Sequence, residues 1–132
     1  MKESKDLRIL IAEDNGTFRK LMSAMIERIT GNAPESVTNG EEAFNRVNET
    51  DFDLIFMDNH MPKLSGVEAT MKIRQTIPED RQPRIVAVSG SSDIFDMSDF
   101  EKAGMDALLC KPFHLNDLAA SIDEALLENA RV

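Results

Sequence analysis

Leu7-Arg8-Ile9-Leu10-Ile11-Ala12-Glu13-Asp14 is the stretch on which the fold turns. The run is nearly continuous in apolar residues and stops on two acids. A strand reads this way when both faces of its sheet are covered, because neither face then needs polar side chains. Sheets covered on both sides are parallel sheets whose crossover helices lie above and below them. The rest of the chain is therefore expected to alternate between short apolar strands and amphipathic helices.

It does so to the end. Phe18, Leu21, Met22, Met25, Ile26 and Ile29 recur at helical spacing, and Gly31 follows as a stop signal. A weaker strand around Ser36-Val37-Thr38 leads to a helix carrying Ala43, Phe44 and Val47, with Asn39 and Glu42 spaced as an N-cap and its third-residue partner. Asp53-Leu54-Ile55-Phe56-Met57 is the third strand and ends at Asp58. Pro62 marks a loop, and Ser65-Gly66-Val67-Glu68 reads as a capping box opening a helix that buries Val67, Met71 and either Ile73 or Ile77. Pro78 and Pro83 bracket a polar connector to the fourth strand, Arg84-Ile85-Val86-Ala87-Val88. Ser89-Gly90 then precede a helix with Ile94, Met97 and Phe100, which Gly104 ends. Ala107-Leu108-Leu109-Cys110 is the fifth strand, and the last helix presents Leu115, Leu118, Ile122 and Leu126. Five strands alternating with five helices imply an α/β fold, a doubly wound parallel sheet with helices on both faces. Right-handed crossovers restrict the strand order to a few doubly wound arrangements. With no internal repeat or linker, residues 1–132 are expected to form one domain with its core over about 7–127.

Composition sets outer limits. The hydrophobic share of 42% and the charged share of 30% are those of an ordinary globular protein. No apolar run approaches the ~20 residues that span a bilayer, and the first residues carry no secretory pattern. A single cysteine, Cys110, excludes an intrachain disulfide and points to a reducing, cytoplasmic location. The net charge of -9 argues against nucleic acid or an anionic membrane as a partner of this domain.

In open parallel sheets ligands bind beyond the carboxyl ends of the strands, so the polar residues there matter most. Glu13 and Asp14 follow the first strand, Asp58 the third, Ser89 the fourth and Lys111 the fifth. Three carboxylates at one rim would repel by about 3 kcal/mol per pair at ~5 Å and an effective dielectric near 20. Lys111 offsets part of that. A divalent cation with oxygen ligands, Mg²⁺ in particular, would supply the balance, and no Cys/His cluster competes for zinc. Asp58 could then act as a nucleophile toward phosphorus, with Lys111 and the Ser89 hydroxyl neutralising phosphoryl oxygens. Each residue alone has a plainer explanation: a helix N-terminal turn for Glu13-Asp14, a turn residue for Asp58, a plain turn at Ser89-Gly90, a solvated charge for Lys111. Those explanations leave the joint placement, one residue or pair per strand end, unaccounted for.

The same segments resemble the receiver domains of two-component response regulators. The resemblance lies in Ile9-Leu10-Ile11-Ala12-Glu13-Asp14-Asn15, in Met57-Asp58-Asn59-His60-Met61-Pro62 with Gly66, in Ala87-Val88-Ser89-Gly90, and in Gly104-Met105-Asp106 with Lys111-Pro112-Phe113. It runs from about Leu7 to Leu127. It implies a flavodoxin-like sheet of strand order 2-1-3-4-5. It also implies Mg²⁺, with Mn²⁺ as the alternative ion, held by Glu13, Asp14, Asp58 and a backbone carbonyl of Asn59 or His60. Asp58 would be the phosphoacceptor, Ser89 the switch hydroxyl and Lys111 the phosphoryl contact, with a cis Lys111-Pro112 bond. The donor would be a phosphohistidine on a sensor histidine kinase or a histidine phosphotransfer protein, and the output a downstream protein. The protein would thus be a signalling phosphoacceptor rather than an enzyme, with a lean toward hybrid kinases. His60 would tune the lifetime of the phosphate or else be a plain exposed loop histidine, and Gly90 and Leu108 would modulate the switch.

Leu108 departs from the family, which has Tyr or Phe three residues before the lysine. Without that ring, activation would travel through loop movement, or the domain would serve mainly as a phosphoryl relay. Three other readings compete. A haloacid dehalogenase-type phosphatase needs a second acid two residues after its nucleophile, where this chain has His60. A flavodoxin-like redox carrier needs a Ser/Thr-rich phosphate loop after the first strand, which is missing. A binding module that works without phosphate is disfavoured by the intact Glu13, Asp14, Asp58, Ser89 and Lys111, and favoured by Leu108. Cys110 is expected to be a buried small hydrophobe, and His114 to sit near the start of the last helix.

Overall fold

The computed structural model describes residues 2–90 and 97–129, excluding the side chains of Met97 and Asn129. Along the chain run β1 (Ile9–Ala12), α1 (Gly16–Thr30), β2 (Glu35–Val37), α2 (Gly40–Glu49), β3 (Leu54–Asp58), α3 (Gly66–Thr76), β4 (Arg84–Ser89), α4 (Met97–Ala103), β5 (Ala107–Cys110) and α5 (Leu115–Asn129). The five strands form one parallel sheet in the order β2-β1-β3-β4-β5. This is the doubly wound arrangement that the alternation predicted.

Side chains along β1, β3 and β4 alternate between two cores, as the twofold period of a strand requires. Leu10, Ala12, Ile55, Met57, Ile85 and Ala87 pack with Ala43, Phe44, Ala69, Ile73 and Phe100 under α2, α3 and α4. Ile9, Ile11, Leu54, Phe56, Val86 and Val88 pack with Met22, Ile26, Leu118 and Ile122 under α1 and α5. Burial on both sides is why β1 and β3 read as unbroken apolar runs.

Local signals in the sequence are answered by specific bonds. The Asn39 side chain accepts from the Glu42 N–H at 2.8 Å and so caps α2. At α3 the Ser65 hydroxyl accepts from the Glu68 N–H while the Glu68 carboxylate accepts from the Ser65 N–H, a complete capping box. Gly31 ends α1 in the left-handed region at φ 86°, where a Cβ is costly.

Several expectations need correction. β2 begins one residue earlier than predicted, at Glu35, on a weakly apolar strand at the sheet's edge. Leu21 is 55% and Met71 44% exposed, so neither belongs to the core. On α3 the buried positions are Gly66, Ala69, Thr70 and Ile73, and Met71 projects away from that stripe. Cys110 is exposed rather than buried, because it lies at the end of the edge strand β5. Ile94 lies outside the described residues. Among those described, no helix is long and apolar enough to cross a membrane.

Candidate functional site

β1, β3 and β4 end side by side, and their last residues open onto one rim of the sheet. Asp58 is the final residue of β3 and pairs in register with Val88 of β4, one residue before Ser89. Ser89 pairs with Cys110 of β5, and the Lys111 N–H donates to the Ser89 carbonyl at 2.7 Å. The Lys111-Pro112 peptide bond is cis. On the other side, the Glu13 N–H donates to Val37 of β2 and ties the acidic pair to the sheet.

Carboxylate oxygens of Glu13, Asp14 and Asp58 all lie within 4.8 Å of one another. Glu13 and Asp58 are buried and Asp14 is exposed. The Lys111 ammonium lies 3.0 Å from Glu13 Oε1 and 4.0 Å from Asp58 Oδ1. Ser89 is buried and Gly90 half-buried at the neighbouring strand end, with the Ser89 hydroxyl 3.3 Å from the Gly90 carbonyl. His60 is exposed in the loop after Asp58. Leu108 is partly buried against the core under α4.

The loop carrying Asn59 and His60 is anchored at its first residue. The Asn59 carbonyl accepts from Met61 and Gly66 at 3.0 Å each, and its side chain accepts from the Val67 N–H at 2.9 Å. Asn59 thus binds the loop to the start of α3. Only glycine fits at Gly66, since a Cβ there would lie 2.3 Å from the Asp58 carbonyl oxygen. Lys63 in the same loop has a φ of 69°, the left-handed region that few non-glycine residues visit.

The acids do not share their charge equally. Burial, then the charge of Glu13 and a hydrogen bond with it, pushes the Asp58 carboxyl up to about 7. Burial would also raise Glu13, but the Asn15 N–H, Lys111 and the bond with Asp58 together hold it below its ordinary value. One proton shared by the two carboxyls, residing on Asp58, satisfies both tendencies. A single ammonium therefore leaves the rim short of positive charge. The donors are hard oxygens, and the set suits a small divalent cation.

Sequence reasoning missed two residues here. The Arg19 guanidinium donates to the Glu13 carbonyl at 2.9 Å, and the Phe18 ring lies under the Lys111 ammonium at 4.2 Å. Both come from the first turns of α1, where helical spacing alone assigned Phe18 to the core and nothing to Arg19.

A family model described as the response regulator receiver domain matches residues 9–123. The chain belongs to this family and is a receiver domain of two-component signalling, a family of signalling phosphoacceptors. Hybrid signal transduction histidine kinase G of Dictyostelium discoideum is 34% identical over 116 residues, which are 87% of this chain. The chain spans 3% of that kinase's length. Among solved structures, the receiver domain of sensor histidine kinase PA1611 from Pseudomonas aeruginosa has a TM-score of 0.81 and 28% identity, over 91% of this chain and 97% of that one. That structure has a magnesium ion coordinated in its active-site cleft. The receiver domain of Saccharomyces cerevisiae Ssk1, solved with the histidine phosphotransfer protein Ypd1, has a TM-score of 0.83 and 30% identity, over 96% and 92%.

Proposed function

We propose that Asp58 is the phosphoacceptor and that the chain forms one receiver domain with its core over about 7–127. The carrying observation is the meeting of the Glu13, Asp14 and Asp58 oxygens within 4.8 Å, faced by the Lys111 ammonium. An Asp58 carboxylate oxygen forms a bond to phosphorus as the phosphorus–nitrogen bond of a phosphohistidine breaks. The electron pair returns to the imidazole nitrogen, which takes up a proton. The Lys111 ammonium pairs with one phosphoryl oxygen and the Ser89 hydroxyl donates to another. Glu13, Asp14, Asp58 and a loop carbonyl would hold Mg²⁺ or Mn²⁺. Of the two candidate carbonyls, Asn59's already accepts two N–H groups, which favours His60. The ion would supply neutralisation of the transferring oxygens.

The donor is a phosphohistidine on a sensor histidine kinase or a histidine phosphotransfer protein, by analogy with the Ssk1 receiver solved with Ypd1. The receiver catalyses only its own phosphorylation and dephosphorylation, in the cytoplasm, and its output is contact with a downstream protein. Gly90, half-buried directly after Ser89, would modulate the switch. A second reading, a module that binds partners without phosphate, draws on Leu108, whose aliphatic side chain occupies the usual position of the switch aromatic.

Incubation with acetyl phosphate and Mg²⁺, read by intact mass, separates the two. A single phosphoryl adduct on the parent and none on Asp58→Asn is expected. An unmodified parent would leave the phosphate-independent module as the function.

A further inference from the structure

Lys111 is held on three sides, and only two of them are acids. Its ammonium lies 3.0 Å from Glu13 Oε1 of β1, 4.0 Å from Asp58 Oδ1 of β3, and 4.2 Å above the Phe18 ring of α1. The ring is itself fixed. The Phe18 N–H donates to the capping side chain of Asn15 at 2.9 Å, which sets the root of the side chain. Phe113, two residues after Lys111, meets the ring edge-to-face, with centroids 5.7 Å apart and planes at 82°. Phe18 and Phe113 are both half-buried, so the pair forms an apolar wall beside the charged rim.

A positive charge over a ring face is attracted by the ring's quadrupole. That attraction differs in kind from the pull of a carboxylate. The ring offers no lone pair and so accepts no proton, and it does not compete for an incoming phosphoryl group by carrying negative charge. Glu13 is needed by any cation bound at the rim, so its hold on Lys111 cannot serve both roles at full strength. The ring keeps the ammonium near the rim when the carboxylate is engaged elsewhere, and it fills the volume through which the long lysine chain would otherwise swing to solvent.

We propose that Phe18 is a positioning residue for phosphoryl transfer, acting through Lys111 by holding the ammonium over its face, with Phe113 as its backing. This rests on the reading of Asp58 as phosphoacceptor and of Lys111 as its phosphoryl contact. A plain packing role would make any apolar residue of similar size adequate. A positioning role requires an aromatic face and requires Lys111 to be present.

The test is a double-mutant cycle on acetyl phosphate-driven phosphorylation with Mg²⁺, using Phe18→Leu, Phe18→Tyr, Lys111→Ala and Phe18→Leu with Lys111→Ala. Phe18→Leu should slow adduct formation about tenfold, the scale expected of a partly desolvated cation–ring contact. Phe18→Tyr, which keeps the face, should stay within about twofold of the parent. In the Lys111→Ala background, Phe18→Leu should have no further effect. Equal slowing with and without Lys111, or no slowing by Phe18→Leu in the parent, would overturn the proposal. A metal-free NMR measurement decides the contact without any phosphoryl donor. The Lys111 Cε protons should be shifted upfield by the ring current and should return toward ordinary lysine values in Phe18→Leu. An unshifted Lys111 would refute the placement, whereas a parent that takes no phosphate but shows the shift would refute only the functional reading.

Discussion

Glu13 and Lys111, separated by 98 positions in the chain, face each other at 3.0 Å across the rim of the sheet. Glu13 is buried with a side chain 3% exposed, whereas Lys111 keeps 26%. The carboxylate therefore depends on the ammonium more than the reverse. Lys111→Met would leave Glu13 and Asp58 facing each other with no cation between them. At pH 8 and without metal, this variant should be less stable than the parent by about 1–3 kcal/mol, the usual cost of orphaning a buried polar partner. Urea denaturation checks it. Equal midpoints and slopes for the two proteins would mean that the pair carries no net weight.

The Asp58 carboxyl sets a pH dependence of definite sign. Its ordinary value is 3.8, and burial with the nearby Glu13 charge raises it to about 7 in the folded protein. Between those values the native state binds a proton that the unfolded chain has released. Stability of the metal-free protein therefore falls as pH rises from about 4 to about 7 through this group, and levels off above. Asp58→Asn cannot lose that proton. In EDTA, the stability difference of Asp58→Asn over the parent should widen from pH 5 to pH 8. A constant difference over that range would contradict the raised value.

Metal should reverse the same strain. Neutralising the acidic rim favours the folded state, and at a hundredfold excess over the dissociation constant the gain is about 2.7 kcal/mol. Mg²⁺ should thus raise the parent's melting temperature. In Asp14→Asn, which removes the exposed carboxylate of the three, the Mg²⁺-dependent rise should shrink. An Asp14→Asn protein that responds to Mg²⁺ as the parent does would remove Asp14 from the ligand set.

The alternation of strands and helices was readable because both faces of the sheet are covered. Ile9 and Ile11 go to one core and Leu10 and Ala12 to the other, so no polar residue interrupts the run. The rim was readable for a related reason: a polar residue directly after such a run can only be at a strand's end. Helix surfaces were less legible. Periodicity marks a stripe wider than the contact itself, so Leu21 and Met71 met the spacing yet point outward. Cys110 shows the same limit on a strand, where composition does not say which residue of an edge strand loses its cover. The contact of Phe18 with Lys111 was not legible at all, since it joins the first turn of α1 to the residue after β5.

Gly66 offers a steric test of how α3 meets the site. A Cβ there would fall 2.3 Å from the Asp58 carbonyl oxygen and 3.0 Å from the Asn59 Cα, both backbone atoms that cannot rotate aside. Gly66→Ala should cost about 1–3 kcal/mol, as overpacking does, and should slow Asp58 phosphorylation by displacing the strand end. Gly16→Ala is the contrast. There the added carbon meets only the tip of the Arg19 side chain at 3.6 Å, in a helix, and stability should rise by about 0.4–1 kcal/mol. Thermal melts of both variants check the pair, and equal effects would show that the close approach at Gly66 is unimportant.

His60 stands two residues beyond Asp58, exposed, in a loop whose preceding residue is anchored by three hydrogen bonds. Because Asn59 holds the backbone, truncating His60 should change that exposed side chain without moving the loop. Hydrolysis of an aspartyl phosphate needs a water molecule in line with the phosphorus–oxygen bond, on the side open to solvent. An imidazole two residues from Asp58 would obstruct that water, and alanine would not. His60→Ala should therefore shorten the phosphate's lifetime by about threefold, a barrier change well under 1.4 kcal/mol, and should not slow phosphorylation by acetyl phosphate, whose leaving group departs through the same in-line position. The check is phosphate release followed after the donor is removed. A lifetime equal to the parent's would mean that the imidazole does not screen the phosphate, and a longer one would mean that it assists the attacking water instead.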